Sequence, residues 1–296
     1  DAYWRRTHHH ATHHLFWWQG GYCPVLEIEH VPRHLQDNTH ILSGYRAYYS
    51  SKRSWASLFH MHNETFDIWT HVLSCLFALG LALTLWLPSA YTYLQFADRL
   101  VLTGFLLCAS MTFICSSLFH LHMCQSHNAH VFYGCLDFSG ISALILGTSA
   151  TISYFIFYDM PVARNSWTVV LACVNTTGIF GPLFPIWSAP HFRKLRTWSY
   201  IISGCLSSGP FLHYLILSGF HHAALPSPTQ NFFMPGLILM VLFYLFGAFI
   251  YMAQFPERMK PGAFDYLGHS HTIWHIFVSI AAYSHWHALL GAAQWR

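Results

Sequence analysis

Two histidines, His271 and His275, stand four residues apart in the apolar run GHSHTIWHIF, which spans 268 to 277. In a helix that spacing puts both imidazoles on one face, so two ring nitrogens can address one point. Imidazole binds transition metals, and two such ligands call for a third. The chain holds 24 histidines, so a pair at this spacing is also expected by chance. What decides is the depth of the pair and what else converges on it.

The elements that must position these side chains are long and apolar. Of 296 residues, 54% are hydrophobic, 18% aromatic and only 8% charged, against about 25% charged in an average soluble domain. The charges gather in short segments between uncharged stretches, each close to the roughly 20 residues that cross a bilayer as a helix. Seven stretches are expected: Ile68 to Leu87, Leu100 to Met123, Leu136 to Tyr158, Ser166 to Trp187, Ser199 to Phe220, Phe232 to Phe255 and Tyr266 to Leu290. They describe an all-α, seven-transmembrane-helix bundle over residues 68–296. Residues 1–67 form a polar, aromatic and histidine-rich segment without the apolar stretch of a signal peptide. Gly178, Gly181, Pro182 and Pro185 are expected to end the fourth helix, and Gly209 with Pro210 to kink the fifth. Between Tyr45 and Phe59, aromatic residues alternate with Arg46, Lys52 and Arg53, which reads either as a segment at headgroup level or as a solvated loop.

The basic residues set an orientation, because the loops are short. Arg5, Arg6, Arg33, Arg46, Lys52, Arg53, Arg193, Lys194, Arg196, Arg258 and Lys260 fall on the amino-terminal side, against Arg99, Arg164 and Arg296 on the other. The amino terminus is therefore expected in the cytoplasm and the carboxyl terminus outside or in a lumen. None of the eight cysteines forms a C-x-x-C pair and five lie inside expected spans, so they read as packing residues. Cys124 and Cys135 flank a loop on the reducing side, where bridging is disfavoured.

With that orientation His120, Asp137, His271 and His275 share one depth, toward the cytoplasmic face. Three protein ligands with a fourth position left to water is the pattern of a catalytic zinc site, whereas structural sites are usually closed by four. Imidazole without thiolate fits Zn2+ best, with Fe, Ni and Cu left open. Asp137 is the one acidic residue of eleven expected at or inside a span edge. It is either a helix cap or a functional carboxylate, since ionised carboxylates are costly at membrane depth. In HNETFDIWTH, 62 to 71, Asn63 is expected to cap the first helix, with Glu64 and Asp67 favouring the positive end of its dipole. Among other histidines, the tract His8, His9, His10, His13 and His14 suits loose metal binding. His122, His127, His130, His221 and His222 fall in or near loops, and His285 and His287 lie too far along the seventh helix.

The stretches NETFDIWTH (63–71), SSLFH (116–120), LDFSGI (136–141) and PERMKPGAFDYLGHSHTIWH (256–275) resemble the signature segments of the progestin and adiponectin receptor family, related more distantly to the haemolysin III proteins. The resemblance runs from about residue 45 to 290. It implies His120, His271 and His275 as zinc ligands, Ser116 one turn before His120, and Asp137 holding a zinc-bound water. Asp67 stands where the family usually has Asn, Thr272 where Gln is common and Trp274 where Phe is common, departures that bear on ligand preference.

A zinc ion in a partly desolvated cavity lowers the pKa of its water toward about 7, enough for amide or ester hydrolysis near neutral pH. Asp137 would orient that water or take its proton, a role Thr272 cannot fill. Ser116 would either steady a developing oxyanion or bond its own helix backbone. A site in the bilayer implies a lipid substrate, and the resemblance implies an N-acyl sphingolipid such as ceramide, with free fatty acid as product. The alternative is a receptor in which zinc only ties helices together, answering to an extracellular protein, a steroid or a lipid. A transporter should show paired intramembrane charges and repeated halves, and neither is visible. No lysine lies within a span to carry retinal, and the charge count opposes the outside amino terminus of a conventional G-protein-coupled receptor. The expected setting is a multi-pass protein of the plasma membrane, Golgi or endoplasmic reticulum, with no nucleic-acid partner.

Overall fold

A computed structural model of the chain describes residues 23–184, 193–217 and 233–294. These form nine helices: α1 Ser51–Ala56, α2 Thr65–Thr84, α3 Phe96–His122, α4 His127–Ile156, α5 Pro161–Phe180, α6 Arg193–Leu206, α7 Gly209–Leu217, α8 Met234–Ala253 and α9 Ser270–Gln294. Local sequence sets several boundaries. Gln95 and Asp98 form a reciprocal capping box at the start of α3, Ser126 Oγ accepts from Ala129 N at 3.1 Å to start α4, and Pro161 opens α5 where its missing N–H costs nothing. The tract His8 to His14, the residues Pro185 and Trp187, and His221 and His222 lie outside the described residues.

Among the described residues, six helical segments are long and apolar enough to cross a membrane: α2, α3, α4, the stretch Trp198–Leu217 across α6 and α7, α8 and α9. The sequence suggested seven. The difference is α5, a 20-residue helix whose Arg164, Asn165 and Asn175 make it less apolar than the others. It stops at Phe180, and a 3-10 turn at Gly181–Leu183 follows, as the Gly-Pro cluster suggested. Gly209 and Pro210 do more than kink the fifth span: they start a separate helix. A Cβ on Gly209 would lie 2.4 Å from the Trp167 ring, so only glycine lets α5 and α7 close at that point.

The outward faces are strongly apolar. Along α8, Leu239, Leu242, Leu245, Phe246, Phe249 and Met252 are all exposed, as are Leu73, Leu76 and Leu83 on α2. In water such rows would drive aggregation, whereas acyl chains solvate them. The interior is built instead from small and hydroxyl residues that allow close helix approach. A Cβ on Gly140 would lie 2.9 Å from Thr112 Cα, and one on Gly147 2.9 Å from Cys108 Cβ, while Thr112 Oγ1 donates to Gly140 O at 2.7 Å. That register fixes α3 antiparallel to α4 and brings Ser116 opposite Asp137. Helices α2 and α9 run parallel, pinned by Thr272 Oγ1 donating to Asp67 Oδ1 (2.6 Å), Ser74 Oγ to Ser279 Oγ (2.8 Å) and Tyr283 OH to Ser74 O (2.6 Å). Both therefore start at the same end of an all-helical, multi-pass membrane fold. All eight cysteines are free thiols.

The segment from residue 23 to 64 folds against that end. Leu26, Val31, Leu35, Ile41, Tyr45 and Met123 make a small core, and two buried carboxylates from the α8–α9 connection anchor it. Asp265 accepts from Leu42 N (2.9 Å), Ser43 N (2.8 Å) and Ser43 Oγ (2.7 Å). Glu257 accepts from Asn38 Nδ2 (3.0 Å), Ser270 N (2.8 Å) and the Ser270 hydroxyl, so it caps α9 while holding the segment. Arg46, 2% exposed, donates to His120 O (2.6 Å), Leu121 O (3.3 Å) and Ser57 Oγ (2.7 Å). It thereby satisfies carbonyls at the carboxyl end of α3, where a cation is favoured. Tyr45 and Tyr49 are buried, while Trp55 and Phe59 are exposed.

Replacing Asp265 by Ala leaves its three donors without an acceptor, at about 1–3 kcal/mol for each buried group left unsatisfied. The D265A variant in detergent should unfold at lower temperature and be cut faster near residues 42 and 43. K260A, on an exposed side chain of the same connection, should leave both unchanged. Equal behaviour of the two variants would contradict this account of the anchor.

Candidate metal centre

His120 arrives on the last turn of α3, and His271 and His275 on the first two turns of α9, at the end of the bundle where α2 and α4 begin. The structure brings the three together: one ligand atom from each lies within 4.8 Å of the others. The nearest pair, His271 Nε2 and His120 Nε2, is 3.2 Å apart. Two nitrogens bound to one tetrahedral ion at zinc distances are about 3.3 Å apart, so this spacing suits a shared ion.

Two acceptors fix the tautomers. His120 Nδ1 lies 2.6 Å from Glu64 Oε2 and His275 Nδ1 lies 3.0 Å from Asp67 O. A carboxylate and a carbonyl only accept here, so both Nδ1 atoms carry the proton and both Nε2 atoms present a lone pair. A ligating histidine whose other nitrogen donates to a carboxylate or a carbonyl is the usual outer arrangement of a metal site. His120 and His275 are each 2% exposed, and the donor set fits a divalent transition-metal ion. A second grouping, Glu64, Asp67 and His120, also gathers within 4.8 Å, and its carboxylates extend the same centre.

The match with known proteins covers the same region: residues 59–286 fit the family described as Haemolysin-III related. The chain belongs to that family. Its relatives include Heptahelical transmembrane protein 1 of Arabidopsis thaliana, 32% identical over 90% of this chain and 80% of that protein. The Adiponectin receptor protein of Drosophila melanogaster is 32% identical over 92% of this chain and 60% of its own length. Progestin and adipoQ receptor family member 3 of Homo sapiens is 33% identical over 90% and 87%. The haemolysin-III related region takes in Glu64, Asp67 and every residue of the histidine cluster.

Asp137 sits in the third turn of α4 and shares the wall of a cavity of about 470 Å³ with His120, His271, Glu64 and Asp67. Ser116 stands beside its carboxyl, close enough to interact with it, a partner the sequence does not suggest. Asp137 is not alone at membrane depth. Asp67 and Asp98 lie within spanning helices, 1% and 2% exposed, because α2 and α3 begin earlier than hydropathy places them. Asn63 does not cap α2. The N-cap position is Glu64, whose side chain makes no capping bond, and Asn63 Nδ2 donates to Glu64 Oε1 at 2.8 Å. Glu64 is thus drawn away from the helix end toward His120. Burial alone would push its carboxyl up, but the hydrogen bond from His120 Nδ1 opposes that and holds Glu64 below the usual carboxylate range.

Two further histidines were not singled out by sequence. The His71 ring stacks on His275 at 3.8 Å and 6°, and neither of its nitrogens has a hydrogen-bond partner. His269 Nε2 lies 3.6 Å from Asp67 Oδ2. Burial would discharge it, yet Asp67 and Glu64 raise its pKa above the ordinary histidine value. The sequence signal for His71 was its place four residues after Asp67, on the same helix face. His285 lies elsewhere, its Nε2 2.9 Å from Thr151 Oγ1.

Glu64→Gln keeps the shape of the pair but loses the charge that holds the His120 proton. It should weaken metal retention by about 10–100-fold, read by elemental analysis of detergent-purified protein after graded chelation, without loss of the helical circular dichroism. Unchanged retention would show that Glu64 does not support the centre.

Proposed function

We propose that the chain is a seven-transmembrane protein of the adiponectin and progestin receptor type that hydrolyses the amide bond of ceramide-like lipids at a zinc ion. Residues 1–67 would form its cytoplasmic segment and residues 68–296 its membrane domain, with the carboxyl terminus outside or in a lumen. His120, His271 and His275 would hold the Zn2+, and hydrolysis would feed lipid or hormone signalling. The observation that carries this reading is the shared cavity: two of the three imidazoles and the Asp137 carboxyl open onto one space, which leaves room for a substrate beside the ligands.

When bound, the ion supplies a Lewis acid and a water acidified toward neutral pH. The rest falls to this chain. Ser116, beside the Asp137 carboxyl, would donate to it and leave acceptor capacity on that carboxylate to take a proton from water and later return it to the leaving amine. Phe119, Ile41, Phe138 and Met252 give the cavity apolar walls, suited to excluding bulk water and bedding an alkyl chain. Glu64 and the Asp67 carbonyl keep two imidazoles in the ligating tautomer.

A second reading is favoured by the names of relatives, Adiponectin receptor protein and Progestin and adipoQ receptor family member 3. In it the ion only ties α3 to α9, and the protein responds to an extracellular protein, steroid or lipid ligand without hydrolysis.

The two readings part on one measurement. Zinc-loaded protein in detergent should release fatty acid from ceramide, and Asp137→Asn should cut release by about 10²-fold or more while the zinc equivalent remains. Fatty-acid release that survives Asp137→Asn undiminished would remove Asp137 from the reaction. No release by fully loaded parent protein would leave the receptor reading.

A further inference from the structure

The 3-10 turn Arg33–Leu35 places His34 against the start of α4, where His127 and His130 are three residues apart on the first turn. The His34 ring centre is 5.3 Å from that of His127 and 5.3 Å from that of His130, at 70° and 72°. In the central cluster the ring centres are 4.8 to 4.9 Å apart. Rings bound through nitrogen to one tetrahedral ion at zinc distances have centres roughly 5 Å apart, so His34 stands near co-ligand spacing from each of the other two rings, although the nitrogens of the outer three are not gathered within 4.8 Å of one another as those of the central three are.

Simple packing explains the outer trio poorly. His130 Nδ1 is buried and has no hydrogen-bond partner, a cost that the edge-to-face contacts do not offset. Burial and the neighbouring His127 hold His34 below its ordinary pKa, so its ring is neutral near pH 7 and has a lone pair to offer. His127 is exposed, so rotation of its side chain can carry its ring nitrogens toward the other two.

We propose that His34, His127 and His130 form a second site for a divalent transition-metal ion, one that clasps the amino-terminal segment to α4. The chemistry of three imidazoles selects Zn2+, Cu2+ or Ni2+ over Mg2+ and Ca2+. With an exposed ligand and no carboxylate backing like that of Glu64 on His120, the site binds more weakly than the central one and exchanges its ion. His34 and His130 also line the cavity that holds His120 and His271, so an ion here stiffens one wall of that cavity. The inference does not depend on hydrolysis and stands equally for a receptor.

The test uses the full chain in detergent, titrated with Zn2+ against a chromogenic chelator. His34→Gln and His127→Gln are compared with the parent, so that the His8 to His14 tract contributes equally to all three. The parent should take up one exchangeable equivalent whose apparent Kd rises about tenfold or more in each variant, while His120→Ala retains it. Amide exchange across residues 30–41 should slow on adding Zn2+ in the parent and not in His127→Gln. Superimposable titrations of parent and both variants would overturn the site, as would loss of the exchangeable equivalent in His120→Ala. Exchange indifferent to Zn2+ in the parent would overturn the clasp.

Discussion

The direction of two protons governs the centre. An imidazole offers a lone pair to an ion only at the nitrogen that carries no hydrogen, and in His120 and His275 that choice is made by acceptors on α2, the Glu64 carboxylate and the Asp67 carbonyl. The ligands come from α3 and α9, but the groups that aim them come from a third helix. Everything that holds α2 in place, including its parallel hydroxyl ladder with α9, therefore bears on the geometry between His120 and His271. His71 adds a flat surface from the same helix, against which the His275 ring rests.

The amino-terminal segment serves the same geometry from the other side. Arg46 takes up the carbonyl of His120 itself, so the main chain of one candidate ligand is fixed by a residue 74 positions earlier. Glu257 caps α9 one residue ahead of His271 and bonds Asn38 in the same act. A segment that reads as polar and irregular is thus held by charge-assisted hydrogen bonds to buried partners, which are stronger than neutral ones. Its conformation is tied to the ends of the two helices that carry the histidines.

Much of this was legible in sequence, for reasons that can be named. Bilayer helices announce themselves by length and lack of charge, and alternating traverses then force His120, Asp137 and His271 to one end. What stayed hidden depends on partners distant in sequence. Glu64 looks like a first-turn carboxylate answering a helix dipole, and nothing local reveals an imidazole 56 residues away. Asp265 and Glu257 look like ordinary loop acids, since their donors at Ser43 and Asn38 lie more than 200 residues back. Helix α5 reads as a full span from Ser166 onward because its valines and leucine dominate that stretch, whereas the helix itself begins at Pro161 and takes in Arg164 and Asn165 as well as Asn175.

Charge balance gives the arrangement its logic. Three neutral imidazoles would leave a bound divalent cation with its full charge, and the amino-terminal ends of α2, α4 and α9 all add positive potential at the same depth. Water cannot screen that sum inside a buried site, so compensating charge must be built in. Glu64 and Asp67, with their oxygens within 4.8 Å of a His120 nitrogen, supply it. The Asp67 Oδ2 atom lacks a hydrogen-bond partner, an expensive state for a buried carboxylate oxygen unless positive charge lies close by. Protonating His269 meets part of that need, and a cation among His120, His271 and His275 would meet the rest. The carboxylates that answer the dipole of α2 would serve equally as counter-charges to a metal.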